Sequence, residues 1–144
     1  AWLNQQHMMK ADPAQLAEEL AWQLARLEVD PTGGPSLTAI VEAQRERSKT
    51  LKDMAAASVF FFREPAWYEE KAAKKNLTSE TKPHLERARE GLAALPEWSA
   101  VAIHSLIQAL AEQGGVAMGK IAQPIRVAVS GGGVSPPIDQ TLAI

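Results

Sequence analysis

The chain has 144 residues, of which 46% are hydrophobic and 22% are charged, with a formal net charge of −2 and no cysteine. This length is enough to bury a core, while the missing cysteines exclude disulfide scaffolds, thiolate nucleophiles and the common zinc sites. The charge argues against indiscriminate binding of nucleic acid, and the absence of a long apolar run or signal peptide favours a cytoplasmic protein without a membrane partner.

Capping signals mark the starts of helices along the first half of the sequence. The side chains of serine, threonine and aspartate satisfy the free N–H groups of a first helical turn. Such residues precede apolar residues at helical spacing at two places, Asp12 and Thr50. Between them, another helix is expected from Leu37, after a loop rich in glycine and proline. A basic junction that carries Arg45 and Arg47 follows this helix.

The second half of the sequence also repeats apolar residues at helical spacing. Helices are expected over 67–77, 79–95 and 99–114, and from residue 138. The segment 116–129 allows either two strands or two short helices. We choose helices, because Pro124 suits the first turn of a helix and a lone pair of strands beside a helical body is marginal. The predicted fold class is therefore all-α.

No pattern of side chains predicts a catalytic or metal site. The three histidines fall on separate predicted helices, without a carboxylate or second histidine at ligand spacing. The triple glycine at 131–133 is not followed by the lysine and hydroxyl residue of a phosphate-binding loop. The neighbouring serines lack the two flanking glycines of a nucleophile elbow. We therefore expect no catalytic residue and no metal in this chain.

The basic residues form three groups, and a solvated helix face is the simplest interpretation of each. The groups are Arg45, Arg47, Lys49 and Lys52; Lys71, Lys74 and Lys75; and Lys120 with Arg126. Arg126 stands apart because it lies in an otherwise apolar run, where an unpaired guanidinium is costly, so it should reach a partner or the surface. Nearby, Ser135 offers a hydroxyl group, and Pro136 and Ile138 offer apolar surface. Single-stranded RNA is read by such combinations.

Several blocks of sequence occur in a specific order along the chain. They are Gly34-Pro35, residues 45–51, Phe60-Phe61-Phe62, residues 71–75, residues 118–131 and Ser135-Pro136. In this order they resemble the C-terminal anticodon-binding region of bacterial glutamyl-tRNA synthetase, a class I aminoacyl-tRNA synthetase. The resemblance covers essentially the whole chain. It implies an all-α helical cage of about seven to nine helices in two packed subdomains, residues 1–66 and 67–144, the second truncated at its C-terminus.

The resemblance implies that the chain inspects the anticodon loop of glutamate tRNA. Arg47, or otherwise Arg45, resembles the arginine that inspects the last anticodon base, and Arg126 matches another anticodon-contacting arginine. The remaining predicted RNA-binding residues are Ser135, Pro136, Ile138 and Lys120. Ser135, Pro136 and Ile138 resemble a Thr/Ser-Pro-x-Leu contact loop, from which Ser135 and Ile138 depart while keeping a hydroxyl group and an aliphatic surface.

The two signature motifs of class I catalytic domains, of the His-x-Gly-His and Lys-Met-Ser-Lys-Ser types, do not occur in this sequence. The chain also begins without methionine and ends in an apolar run, which favours a fragment. We expect no enzymatic activity and no cofactor in the fragment, whereas the parent glutamate-tRNA ligase would use ATP and Mg²⁺. The expected partners are the glutamate tRNA anticodon loop and the parent's own catalytic domain, with a monomeric state. The negative charge and leucine stripes leave one alternative, a helical protein-interaction adaptor without RNA specificity.

Overall fold

The computed structural model describes residues 2–144. The described part contains α-helices and one short 3-10 helix, without β-strands. The α-helices are α1 (Trp2–Lys10), α2 (Pro13–Arg26), α3 (Leu37–Gln44), α4 (Leu51–Ser58), α5 (Glu70–Asn76), α6 (Lys82–Ala93), α7 (Ala100–Gly114), α8 (Gly119–Ser130) and α9 (Ile138–Ala143). The 3-10 helix, Val59–Phe61, directly follows α4. The all-α prediction is confirmed, including the choice of helix for segment 116–129.

The contacts between helices divide the chain into two compact units. The first unit runs to Glu64 and includes Ile144, and the second unit is Pro65–Ala143. The predicted division lies at residues 66 and 67, whereas the observed boundary precedes Pro65. Each unit has its own hydrophobic core.

The first unit is organised around α2, which packs against both α3 and α4. Leucines of α2, including Leu20, meet Ile40 of α3 and Met54 of α4, and all three of these side chains are fully buried. The predicted caps are present, since Asp12 accepts a hydrogen bond from the N–H of the second α2 residue and the Thr50 hydroxyl accepts one at 3.0 Å. The sequence did not predict α1, which buries only one of its residues.

The second unit is built around α7, which contacts α6, α8 and α9. Ile103 and Ile107 of α7 are fully buried and pack with Ile121 of α8 in one cluster. The helix predicted over 99–114 is confirmed, and the Ser99 hydroxyl caps its start by accepting a hydrogen bond from the Ala102 N–H at 3.2 Å. Gly115 then adopts a left-handed conformation, with φ of 62°, and ends the helix, which is the usual role of glycine at this position.

Three predicted helix boundaries in the second unit are wrong. The helix predicted from residue 67 begins at Glu70, because Glu69 has a ψ of 120° and its N–H donates to the distant Gly131 carbonyl. The helix predicted from residue 79 begins at Lys82, after a turn in which the Thr81 hydroxyl donates to the Asn76 carbonyl at 2.6 Å. Pro124 lies inside α8 rather than at the start of a separate helix. Proline has no N–H group and so cannot donate the usual backbone hydrogen bond within the helix. Burial of the apolar Pro124 ring offsets this loss.

Candidate nucleic-acid interface

Polar partners on α8 and in the following loop orient the side chain of Arg126. Arg126 is half-buried on α8, and its Nε donates to Ser135 Oγ at 2.8 Å, in the loop between α8 and α9. Its Nη1 donates to Oε1 of Gln123, one helical turn earlier. Hydrogen bonds to a charged donor are stronger than neutral ones, so these two contacts restrain the plane of the guanidinium. The expectation that Arg126 reaches a partner is confirmed.

The loop of residues 131–137 is itself fixed by hydrogen bonds. Gln123 Nε2 donates to the Gly133 carbonyl at 2.9 Å, so one amide side chain restrains both Arg126 and the loop. The Ser135 and Thr141 hydroxyls both donate to the Pro136 carbonyl, at 2.8 and 2.9 Å. Ser135 therefore accepts from Arg126 with the same oxygen through which it holds the loop backbone.

Pro136 and Ile138 lie inside the second unit. The side chain of Pro136 is fully buried and Ile138 is only 5% exposed. The apolar surface expected of these two residues is therefore not exposed to solvent. Instead, their buried side chains anchor the loop to the second unit. Two other apolar residues of this loop are exposed, namely Val134, with an exposed fraction of 82%, and Pro137.

The predicted residues of the first unit lie in the turn between α3 and α4. Arg47 is exposed, and its Nη1 donates to the Ala43 carbonyl at 2.9 Å, where a cation complements the carboxyl end of α3. Arg45 is half-buried at the C-cap of α3. The intervening Glu46 carbonyl accepts a bond of 3.0 Å from Gln5 Nε2 of α1. These bonds tie the turn to α3 and to α1.

The structure brings together only part of the predicted set. Arg126 and Ser135 are in direct contact, and Lys120 is exposed in the first turn of the same helix, α8. Arg45 and Arg47 belong to the other unit. Gln123 was not predicted, although its position three residues before Arg126 is the spacing at which helical side chains meet.

Neither a metal site nor a membrane-spanning helix is found among the described residues. No group of three or more histidine, cysteine, aspartate or glutamate side chains is placed among them to hold a metal ion. No helix in residues 2–144 has both the length and the apolar character that a membrane span requires.

Comparisons with known proteins agree with the resemblance seen in the sequence. The chain is 55% identical over 143 residues to glutamate-tRNA ligase 1 of Alkalilimnicola ehrlichii and 52% identical to glutamate-tRNA ligase 2 of Halorhodospira halophila. Each match covers 99% of this chain and 30% of the relative. The chain thus spans less than a third of these relatives.

A solved structure has the same fold. The crystal structure of a glutamate tRNA ligase from Elizabethkingia meningosepticum, in complex with its amino acid, matches with a TM-score of 0.86 at 28% identity. The match covers 99% of this chain and 28% of that one. Residues 7–144 also match the family described as an anticodon binding domain. The chain belongs to this family of anticodon binding domains.

Proposed function

We propose that this chain is the anticodon-binding region of a glutamate-tRNA ligase and that it binds the anticodon loop of glutamate tRNA. The observation that carries the proposal is the half-buried guanidinium of Arg126, oriented by Ser135 and Gln123 beside a hydrogen-bonded loop. Guanidinium groups recognise the edges of bases, and an orientation set before binding reduces the entropy lost on binding. The family membership and the glutamate-tRNA ligase relatives support the same proposal.

The proposed roles of the loop residues follow from their burial. Arg126 and Ser135 provide polar contacts to an unpaired base, and the exposed side chain of Val134 provides apolar contact. Pro136 and Ile138, being buried, act indirectly by fixing the loop backbone.

The residues outside this loop would add contacts to the same RNA. Arg47 would contribute a second base contact from the first unit, with Arg45 as the alternative at that position. Lys120, with an exposed ammonium group, suits a phosphate contact.

The parent enzyme would supply the chemistry that this region lacks. Its catalytic domain would use ATP and Mg²⁺ to attach glutamate to the tRNA, and we place this enzyme in the cytoplasm as a monomer. Binding of the anticodon loop would help to hold the acceptor end of the tRNA at a distant active site, where positioning contributes directly to rate.

The proposal is tested by titrating the 144-residue chain with two RNA hairpins at one fixed salt concentration. One hairpin carries the glutamate tRNA anticodon loop, and the other differs from it in one anticodon base. We expect tighter binding of the first hairpin, because base contacts distinguish sequences whereas phosphate contacts do not. Arg126→Ala should weaken that binding by about 1–3 kcal/mol, the range for one good base-edge contact.

Arg89→Ala is the matched control, because it removes the same charge from an exposed position on α6. This variant should bind both hairpins as the unaltered chain does. Equal affinity of the unaltered chain for the two hairpins would contradict recognition of the anticodon. That result would favour the alternative, a helical adaptor without RNA specificity.

A further inference from the structure

Two adjacent aromatic side chains, Trp67 and Tyr68, are exposed at the start of the second unit. The fractional exposure is 74% for Trp67 and 45% for Tyr68. Exposure alone does not distinguish Trp67, since Trp2 of the first unit is 71% exposed and Trp22 and Trp98 are also exposed. However, the Trp22 ring already contacts a cation, since the Arg26 guanidinium carbon lies 5.0 Å from the ring centre. The Trp98 indole N–H donates to the Leu142 carbonyl at 2.9 Å. Trp67 is thus a large aromatic ring of the second unit that is left mostly to solvent.

The backbone next to these rings is hydrogen-bonded to the loop of residues 131–137, which contacts Arg126 through Ser135. The Glu69 N–H donates to the Gly131 carbonyl at 2.7 Å, and the Tyr68 hydroxyl donates to a carbonyl of α8 at 3.4 Å. A Cβ atom on Gly131 would come within 2.8 Å of the Trp67 carbonyl oxygen, so the two backbones touch here. Gly131 and Ser135 are four positions apart in the chain, which allows a distance of at most about 14 Å between them. The aromatic pair and the Arg126 contact are therefore within reach of neighbouring nucleotides of one RNA strand.

The helix that follows the aromatic pair carries a small excess of positive charge. Lys71, Lys74 and Lys75 of α5 are exposed, and Lys74 is paired with Glu70 at 2.6 Å. Residues 69–75 therefore contain three lysines and two glutamates, Glu69 and Glu70. Lys71 and Lys75 are spaced by one helical turn and so share a face. Aromatic rings beside cationic side chains are the combination with which proteins bind single-stranded nucleic acid.

We propose that Trp67 and Tyr68 form a stacking platform for a base next to the nucleotide contacted by Arg126, with Lys71 and Lys75 neutralising phosphates of the same strand. The inference rests on the proposed function, because it places the platform beside the Arg126 contact. It assigns the platform a contribution to affinity and none to the choice of base, since every base offers a ring face for stacking.

The test uses the same chain and the same two hairpins, with Trp67→Leu, Trp67→Phe and Trp22→Leu as variants. Trp67→Leu should weaken the binding of both hairpins by about 5- to 140-fold, the loss that corresponds to one stacked base. Trp67→Phe keeps a ring and should lose less than about threefold. Trp22→Leu removes a tryptophan of the first unit that is 60% exposed, and it should leave the Kd unchanged. Circular dichroism establishes that each variant is folded.

The outcomes separate this inference from the proposed function. If the unaltered chain distinguishes the hairpins and Trp67→Leu binds as tightly as it does, the stacking platform is refuted and anticodon recognition stands. If the chain binds both hairpins equally and Trp67→Leu weakens both, the platform stands and anticodon recognition is refuted. A chain that binds neither hairpin overturns both. A loss with Trp67→Leu on one hairpin alone would also overturn the platform, because stacking does not select a base.

Discussion

Replacement of Ser135 by alanine tests whether orientation of the Arg126 guanidinium contributes to RNA binding. The change removes the oxygen that accepts from Arg126 Nε at 2.8 Å, while the total charge of the chain stays the same. The loop should stay folded, because the Thr141 hydroxyl keeps its bond of 2.9 Å to the Pro136 carbonyl. The effect on RNA binding is therefore separable from an effect on folding.

The magnitude follows from the kind of bond that is lost. Hydrogen bonds to a charged group contribute about 1.5–3 kcal/mol, and partial exposure of Arg126 places this one at the lower end. Gln123 still restrains the guanidinium, which limits the loss further. We expect Ser135→Ala to raise the Kd for the cognate hairpin about 5- to 15-fold. Fluorescence anisotropy over a series of salt concentrations measures both this loss and the salt dependence.

The salt dependence distinguishes orientation from charge. Because Ser135→Ala removes no cation, the slope of log K against log salt should not change. Ser105→Ala, at an exposed position on α7, is the control and should have no effect. An affinity unchanged by Ser135→Ala, or a loss that comes with a shallower slope, would refute the idea that Ser135 acts by orienting Arg126.

Four further predictions follow from particular contacts. Lys120→Ala should weaken both hairpins equally and make the salt slope shallower by about 0.7, as expected for one lost phosphate contact in a titration over salt. Gly131→Ala should destabilise the chain by about 1–3 kcal/mol in thermal unfolding, because φ is 79° and a Cβ would meet a carbonyl oxygen at 2.8 Å. An unchanged melting temperature would contradict this. Ile107→Ala, at a fully buried position, should cost about 2–5 kcal/mol in urea unfolding, and a cost near zero would mean that the second core repacks without a cavity. A hydrogen bond from the Thr32 side chain, and to a lesser extent one from the Thr32 backbone N–H, lowers the pKa of Asp30 below its ordinary value of 3.8. Thr32→Val should therefore raise the pKa of Asp30 in an NMR titration. Because this pKa is lowered by folding, the associated stabilisation is present above pH 3.8 and is lost as the pH falls further.

The helix starts that could be predicted are those encoded by neighbouring residues. Asp12, Thr50 and Ser99 each accept a hydrogen bond from an N–H two or three residues later, so the signal and its partner lie in one short window. Helix α1 has no such signal and buries only Met8, which leaves no apolar stripe to detect.

The parts that could not be predicted depend on contacts between distant residues. Residues 67–69 have helix-compatible sequence, yet Glu69 donates to the carbonyl of Gly131, more than sixty residues later. The burial of Pro136 and Ile138 likewise depends on packing of the loop against the rest of the second unit. Periodicity identifies neither of these, because it reports only which side of a single helix is apolar.

The candidate site was partly predictable for a related reason. The cost of leaving a guanidinium unpaired among apolar residues indicated that Arg126 needs a partner, and Ser135 was the nearby hydroxyl. Gln123 was not predicted as a site residue, because a glutamine on a helix is ordinarily exposed to solvent. Its amide reaches both Arg126 and the Gly133 carbonyl only when the loop folds back over α8.

The charge of the chain determines how this region would have to bind RNA. With a formal net charge of −2, the protein exerts no general attraction on a polyanion, so its affinity must come from a few oriented groups. Such groups are effective only if little entropy is lost in ordering them on binding. Ser135 and Gln123 restrain Arg126 through hydrogen bonds, and the buried side chain of Pro136 restrains the loop. These groups are therefore ordered without RNA. A rigid loop is therefore a requirement of binding for a protein of this charge, whereas a strongly basic protein can bind RNA without one.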